Sequence, residues 1–467
     1  MKICLIGNSL TALSLAKNLT NKKIYVFNYI KTDNKKIGKT RTIGISKDSL
    51  DFFNKDIIKI KKKSKWDIKK IEVYAEKYNN KKILNFENSN TNLFSMVKNF
   101  EIYDSIKKKL NKNKFYKKIR IENEKKFEKI LNANFNLVIN CDINNFVTKK
   151  FFFKKIIKNY KSSAFTTIIE HAKIENNIAY QIFTSKGPLA FLPLSKFKTS
   201  IVYSINHENI KFNDNEILKL INFYNFKYKI SNFSKIEKFN LSYSVSRNYF
   251  YKNILNFGDA IHRIHPLAGQ GFNINLRDIK ILSELIQKRI DLGIPLSDWF
   301  VCLHVSENDT TTVRNASIEN YIKGIKAITK RGGWVVRLGS SSMKSLPVME
   351  KVIDYSHSIH KSPSMDLYLI SECKFFIGLA SGPTFVAALF DKPQIQVNMT
   401  DYTLGLPLKK GSLGIMKHVF SRTQNRFLSI REVLNEPFAV TAFDESISDE
   451  YIFVENSDEE IYNLIEE

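Results

Sequence analysis

A chain of 467 residues, 43% hydrophobic and 25% charged, has the composition of a globular protein and room for two or three domains with sizeable cores. Its formal net charge of +27 would suit a nucleic acid or an anionic membrane. However, Lys, Asn, Ile and Phe are enriched together, as A/T-rich codons produce, so a solvated Lys-rich surface is expected and no nucleic-acid partner. Four scattered cysteines with no CxxC pair predict neither a metal site nor a disulfide framework, and no apolar run reaches the roughly 18 residues of a membrane-spanning helix.

The charge is unevenly spread. Residues 299–467 carry 17 Lys and Arg against 21 Asp and Glu, a net of −4, which leaves +31 for residues 1–298. The Lys/Asn/Phe bias fades at the same place, so a domain boundary is predicted near residues 296–300. Runs such as Lys61-Lys62-Lys63 would favour peripheral contact with anionic lipid.

The opening stretch MKICLIGNSLTALSLA has the Lys, apolar run and small residues of a signal peptide, but it reads better as a strand and a helix. Residues 2–6 are an apolar run bounded by Gly7. Leu10, Leu13, Ala16 and Leu19 follow at helical spacing, and residues 23–27 predict a second strand. The turn of this βαβ opening, Gly7-Asn8-Ser9-Leu10-Thr11-Ala12, is a reduced GxGxxG with Ser9 and Ala12 in the second and third glycine places. A small residue at position 9 would let the backbone approach a pyrophosphate, which the helix start would face with partial positive charge. The ribose position at the end of the second strand falls on Asn28, which can bond a hydroxyl without charge. The same residues also suit an ordinary strand–helix turn.

Further on, the Lys/Asn-rich stretches 31–40 and 104–130 predict loops and solvated helix faces. Residues 136–142, NLVINCD, predict a strand ending in Asp142, and residues 163–205 read as antiparallel strands. At 254–278, ILNFGDAIHRIHPLAGQGFNINLRD, an apolar strand ends in Gly258-Asp259. A Pro/Gly-rich loop follows, and Gly269-Gln270-Gly271 opens a helix to about residue 290. That chemistry suits a flavin: a strand-end carboxylate for ribityl hydroxyls, glycines for close approach to a flat ring, and a helix start opposite the ring edge that gains negative charge on reduction.

The 254–278 run resembles the second FAD motif of the aromatic hydroxylases related to para-hydroxybenzoate hydroxylase, and above all that of the ubiquinone-biosynthesis hydroxylases, GDAAHxIHPLAGQGxNxGxxD. The chain keeps Gly258, Asp259, Ala260, His262, Ile264, His265, Pro266, Leu267, Ala268, Gly269, Gln270, Gly271, Asn273 and Asp278, and departs at Ile261 and Asn275. Arg41-Thr42-Ile43-Gly44-Ile45-Ser46 resembles the segment whose arginine flanks the cofactor. Trp66 stands where the family has a Trp in a helical region. Asp142 is similar to the Asp of a "DG" motif whose Gly is Ile143 here. The resemblance implies FAD held by Gly7, Ser9, Ala12, Asn28, Arg41, Asp142, Gly258, Asp259, Gly269, Gln270, Gly271, Phe272 and Asn273. It also implies NAD(P)H as electron donor, dioxygen as oxidant and a lipid-soluble polyprenylated phenol as substrate. Pro266 would cover the flavin. His262 and His265 would either assist proton movement or pack the loop. The expected location is cytoplasmic, at the inner membrane face.

In the C-terminal third, strands are predicted at 301–305, 334–338, 375–379 and 394–397, and helices at 318–329, 365–373 and 383–390. This alternation is a parallel α/β domain. WFVCLHV, GGWVVRLG and FFIGLASGPTFVAALFDKP resemble the C-terminal half of a GT-B-type glycosyltransferase, which implies a nucleotide-sugar at Ser381, Gly382 and Pro383. A plain strand–helix turn also accounts for these three, and His304 suits a core as well as a catalytic place. Ser306 replaces the usual Arg. The expected α/β architecture is a discontinuous Rossmann-like FAD-binding domain (1–160 and 245–298), an inserted antiparallel substrate sheet (161–244) and a GT-B-half-like domain (299–467). Three functions follow: an FAD monooxygenase with an appendage, a nucleotide-sugar transferase, or a non-catalytic FAD-binding chimera.

Overall fold

The computed structural model describes residues 1–31, 38–78, 81–88, 91–121, 133, 135–206, 212–263, 270–295, 298–307, 315–379, 381–400, 409, 411–435 and 449–467. They form two compact units, Met1–Ser283 and Glu284–Glu467.

The first unit opens on the expected βαβ. Lys2–Ile6 is buried on both faces, as suits a central parallel strand. Leu10–Asn21 is buried from Leu10 to Thr20. The second strand runs Tyr25–Lys31 rather than 23–27, because Lys23 takes φ +61° in the turn that ends the helix. The six-stranded sheet has the order Phe250–Tyr251, Ile254–Asn256, Leu137–Asn140, Lys2–Ile6, Tyr25–Lys31, Tyr116–Ile121. Every pairing is parallel except the Phe250–Tyr251/Ile254–Asn256 hairpin. Tyr116–Ile121 and the end of the helix Asn99–Leu110 occupy much of the stretch read as loop and helix face.

A nine-stranded sheet makes the other half of this unit. Its path is His262–Arg263, Glu237–Ser246, Lys155–His171, Lys198–Asn206, Gly187–Pro193, Ile178–Thr184, Lys70–Ala75, Lys81–Glu87, with Ile230–Phe233 paired to Lys155–His171. Phe165, Ile169, Tyr180, Phe191 and Tyr203 form its core together with Ile217 and Ile221 of the helix Asp214–Tyr224. Trp66 lies in a strand, Lys65–Ile68, not in a helical region. That strand pairs with Phe94–Lys98 in a small sheet completed by Thr42–Ser46, and the indole N–H donates to the Asn176 carbonyl.

The second unit holds a six-stranded parallel sheet ordered Val352–Ile353, Trp334–Leu338, Phe300–His304, Phe376–Gly378, Gln394–Met399, Leu413–Met416. The chain winds outward from Phe300–His304 in one direction. It then returns beside that strand and winds the other way, so the topological switch point lies between Phe300–His304 and Phe376–Gly378. The helices Ile322–Lys330, Pro363–Glu372 and Gly382–Leu389 lie near their expected places.

The units divide inside the helix Gln270–Asp291, ahead of the 298/299 join read from composition. Leu285, Leu292 and Ile294 pack into the second unit's core with Phe300, Tyr355 and Leu369. Composition changes where the codon bias changes; packing changes where apolar side chains find partners. Cys4, Cys141, Cys302 and Cys373 are free and buried. Among the described residues no helix is long and apolar enough to cross a membrane.

Candidate functional site

Three adjacent parallel strands of the first unit, Lys2–Ile6, Leu137–Asn140 and Ile254–Asn256, end side by side. The carboxyl ends of such strands are where α/β folds hold ligands. Gly7 takes φ +128°, and a Cβ there would stand 3.3 Å from the Cys141 carbonyl carbon. Gly258 takes φ +61°, and a Cβ there would stand 2.8 Å from Thr11 Cγ2. Only glycine suits either position, for reasons of backbone and of space. The Asn275 amide then ties three elements together: its Nδ2 donates to Thr11 Oγ1 and to Asp259 Oδ1, each at 2.9 Å. Asp259 is exposed, and this hydrogen bond fixes its carboxylate.

Below the strand ends lies a buried amide network. Asn140 Nδ2 donates to Thr148 Oγ1 at 2.7 Å and to Asn256 Oδ1 at 2.9 Å, while its Oδ1 accepts from Asn145 Nδ2 at 2.6 Å. Asn256 Nδ2 donates to the Ala260 carbonyl at 2.8 Å. Thr148 Oγ1 donates to the Asp142 carbonyl at 2.6 Å. The network sets the height of both strand-end aspartates. Burial pushes the Cys141 thiol pKa up, and the nearby charges of Asp259 and Asp142 push it further, which puts both aspartates close to one point.

The other expected residues fall as follows. Ser9 caps its helix, accepting from Ala12 N at 3.2 Å. Asn28 is fully buried beside Leu5; its Nδ2 donates to Tyr116 OH at 2.9 Å and its Oδ1 has no partner among the described residues. Asp142 is half-buried and accepts from Asn144 N at 2.9 Å. Arg41 is exposed ahead of Thr42–Ser46. Asn273 clamps that strand: Ser46 N donates to its Oδ1 at 3.0 Å and its Nδ2 donates to the Gly44 carbonyl at 2.9 Å. Phe272 is buried edge-on to Phe53. Gln270 and Gly271 open the helix. Gly269, Pro266 and His265 lie outside the described residues. His262 pairs with Val245, and its Nε2 is buried without a partner among the described residues. Burial holds the Asp278 carboxyl above the usual carboxylate range, with the nearby His262 acting in the opposite direction.

Sequence reading missed Thr11, Asn140, Asn256 and Asn275. A signal existed: both NLVINCD and ILNFGD end an apolar run in Asn shortly before Asp, and Asn is disfavoured in strands unless its amide is used. The glycine-lined turn at Gly7 and the fixed Asp259 carboxylate offer a close backbone approach and an acceptor, features that a dinucleotide's pyrophosphate and hydroxyls use.

In the second unit, His304 ends the strand on one side of the switch point. Its Nδ1 lies 3.2 Å from Ser381 Oγ, and Ser381 Oγ lies 3.2 Å from Thr384 Oγ1. Ser381 is the N-cap of Gly382–Leu389, with Gly382 and Pro383 in the first turn. Burial, with the charge of Arg337, pushes the His304 pKa down to about 4.

Residues 140–290, which hold two of the first unit's three adjacent strand ends, match the family model described as FAD binding domain. Among individual proteins, the chain is similar to the mitochondrial ubiquinone biosynthesis monooxygenase COQ6 of Danio rerio, at 25% identity over 199 residues, covering 34% of this chain and 40% of that protein. The human COQ6 protein is 29% identical over 166 residues, covering 27% and 36%. The chain thus spans about two-fifths of the length of these curated relatives. In fold it is similar to Pseudomonas aeruginosa PqsL in complex with 2-aminobenzoylacetate, with a TM-score of 0.52 at 14% identity over 63% of this chain and 88% of that one.

Proposed function

We propose that the first unit binds FAD across the ends of Lys2–Ile6, Leu137–Asn140 and Ile254–Asn256 and hydroxylates a lipid-soluble phenol with NAD(P)H and dioxygen. The observation that carries this reading is the Asn275 clamp, which brings the Gly7 turn, the Leu10–Asn21 helix start and Asp259 to one place. Bound FAD would supply the redox chemistry, in which two electrons from NAD(P)H and one dioxygen put one oxygen atom on the ring and release the other as water. The chain's own residues position it. Gly7 and the amides around Ser9 would receive the pyrophosphate, and Asp259, held by Asn275, would accept from the polyol. The helix start at Gln270-Gly271 would face the ring edge that gains negative charge. The nine-stranded sheet is the substrate wall. Similarity to the COQ6 proteins supports a ubiquinone-precursor-like phenol. The test is a prenylated phenol incubated with FAD-loaded full chain, NADPH and isotopically heavy dioxygen. A labelled hydroxyl in the product is expected. Bound FAD without NADPH oxidation would leave a non-catalytic flavoprotein.

A second reading concerns the other unit. His304 and Ser381 meet at the switch point of a doubly wound parallel sheet, which supports a nucleotide-sugar there with Ser381, Gly382 and Pro383 at its phosphates, as a GT-B half would hold it. Calorimetric titration with UDP-sugars tests it.

A further inference from the structure

We infer that one rim of the first unit, formed by residues 149–158 and 247–252, is a docking surface for an anionic lipid bilayer. Phe153 is 65% exposed, Ile157 69% and Phe250 72%, and Ile156, Tyr249 and Tyr251 are exposed beside them. Three contacts bring the two segments together at one rim. Arg247 N donates to the Lys154 carbonyl at 2.9 Å. Ile156 and Ile157 pair with Val245 and Ser244. Phe151 stacks on Tyr251 with ring centroids 4.6 Å apart. Exposed apolar groups this dense mark an interaction site.

The charge identifies the partner. Residues 143–162 and 238–258 contain nine Lys and Arg and no Asp or Glu, although residues 1–298 hold 25 acidic residues in all. Lys150 Nζ lies 5.6 Å from the Phe151 ring centre and Lys252 Nζ 5.7 Å from that of Tyr251. The arrangement is a set of apolar side chains with ammonium groups level with the aromatic rings. It matches the boundary between acyl chains and anionic headgroups, where such rings and cations settle. A nucleic acid suits it less well. Base stacking uses rings alone, whereas here Ile156 and Ile157 are as exposed as several of the rings, and aliphatic side chains suit an acyl-chain boundary better than a base.

The rim also adjoins the candidate site. Glu237–Ser246 pairs with Lys155–His171 on one edge and with His262–Arg263 on the other, and Ser246 N donates to the Ile261 carbonyl at 2.7 Å. A bilayer on this rim would therefore lie two strands from His262. That the contact delivers a lipid-soluble substrate rests on the function proposed above; the contact itself does not.

The experiment is co-sedimentation of the full chain with phosphatidylcholine vesicles, with and without phosphatidylglycerol, alongside an absorbance spectrum of the bound flavin. Binding to the anionic vesicles alone, released by high salt, is expected. Lys154→Gln with Arg247→Gln removes two cations and should lower partition about 30-fold, at roughly fivefold per basic residue. Ile157→Ser with Phe250→Ser should lower it further, while Lys62→Gln with Lys63→Gln should leave it within twofold. No vesicle binding by folded protein, equal binding to neutral vesicles, or binding unchanged in both rim variants would overturn the inference. So would self-association abolished by the rim variants and unaffected by vesicles, or preferential binding of single-stranded RNA. Because binding is read without turnover, loss of hydroxylation alone would count against the enzyme reading and leave the surface standing.

Discussion

Gly258→Ala isolates the geometry on which the site depends. At φ +61° a residue with a Cβ is strained by about 1–2 kcal/mol. The new methyl would also lie 2.8 Å from Thr11 Cγ2, an overpacking that costs roughly another 1–3 kcal/mol. The sum is about 3 kcal/mol of destabilisation. The two contributions separate in a Thr11→Ser background, where Cγ2 is absent but Oγ remains to accept from Asn275. There Gly258→Ala should cost only the backbone part, about 1–2 kcal/mol. Because the chain has two compact units, the assay must report on the first alone: hydrogen exchange by mass spectrometry over Lys2–Ile6 and Leu137–Asn140, whose slowest amides follow unfolding of their own unit. Equal costs in both backgrounds, or a cost under about 0.5 kcal/mol in the Thr11 background, would refute the close approach of the strand end to the first helix.

Asn140→Ala strips partners from Asn145, Asn256 and Thr148 at once and should destabilise the first unit by about 3 kcal/mol, read by the same exchange. Asp278 has a raised carboxyl pKa through burial, so its favourable contribution is complete below the ordinary carboxylate value and lost as pH rises through the folded value. Asp278→Asn should therefore raise Tm near pH 7, with the gain vanishing toward pH 4. His304 is shifted the opposite way, to about 4: the second unit is fully stable above the unfolded value near 6.5 and loses up to about 3 kcal/mol as pH falls to 4. Urea unfolding followed by Trp299 and Trp334 fluorescence in a Trp66→Phe background should show that slope, and His304→Gln should remove it.

The parts legible in the sequence were those written in short-range pattern. The apolar runs at 2–6, 136–140, 300–305 and 334–338 became parallel strands because nothing but a buried sheet accommodates them. Gly258-Asp259 was legible as the end of an apolar strand, and the run after it as a long helix. What escaped depends on side chains far apart in sequence. Asn275, 264 residues from Thr11, reads as a departure from the family pattern and proves to be the clamp. The Asn140–Asn256 bond crosses 116 residues. Asn28 was placed at a strand end because the turn at Lys23 was not foreseen, so the strand starts and finishes later than expected. The unit boundary escaped for a related reason: Leu285 lies in a continuous helix, and only packing assigns it to the second core.

Equilibrium titration of the purified full chain with FAD, followed by the flavin's visible spectrum, bears most directly on the claim that Asp259 and the Gly7 turn hold one cofactor between them. One equivalent of FAD should bind, and Asp259→Ala should weaken it by about tenfold or more, the worth of a charge-assisted hydrogen bond. A folded wild-type chain that leaves the flavin spectrum unchanged, or an Asp259→Ala variant that binds as tightly as wild type, would contradict it.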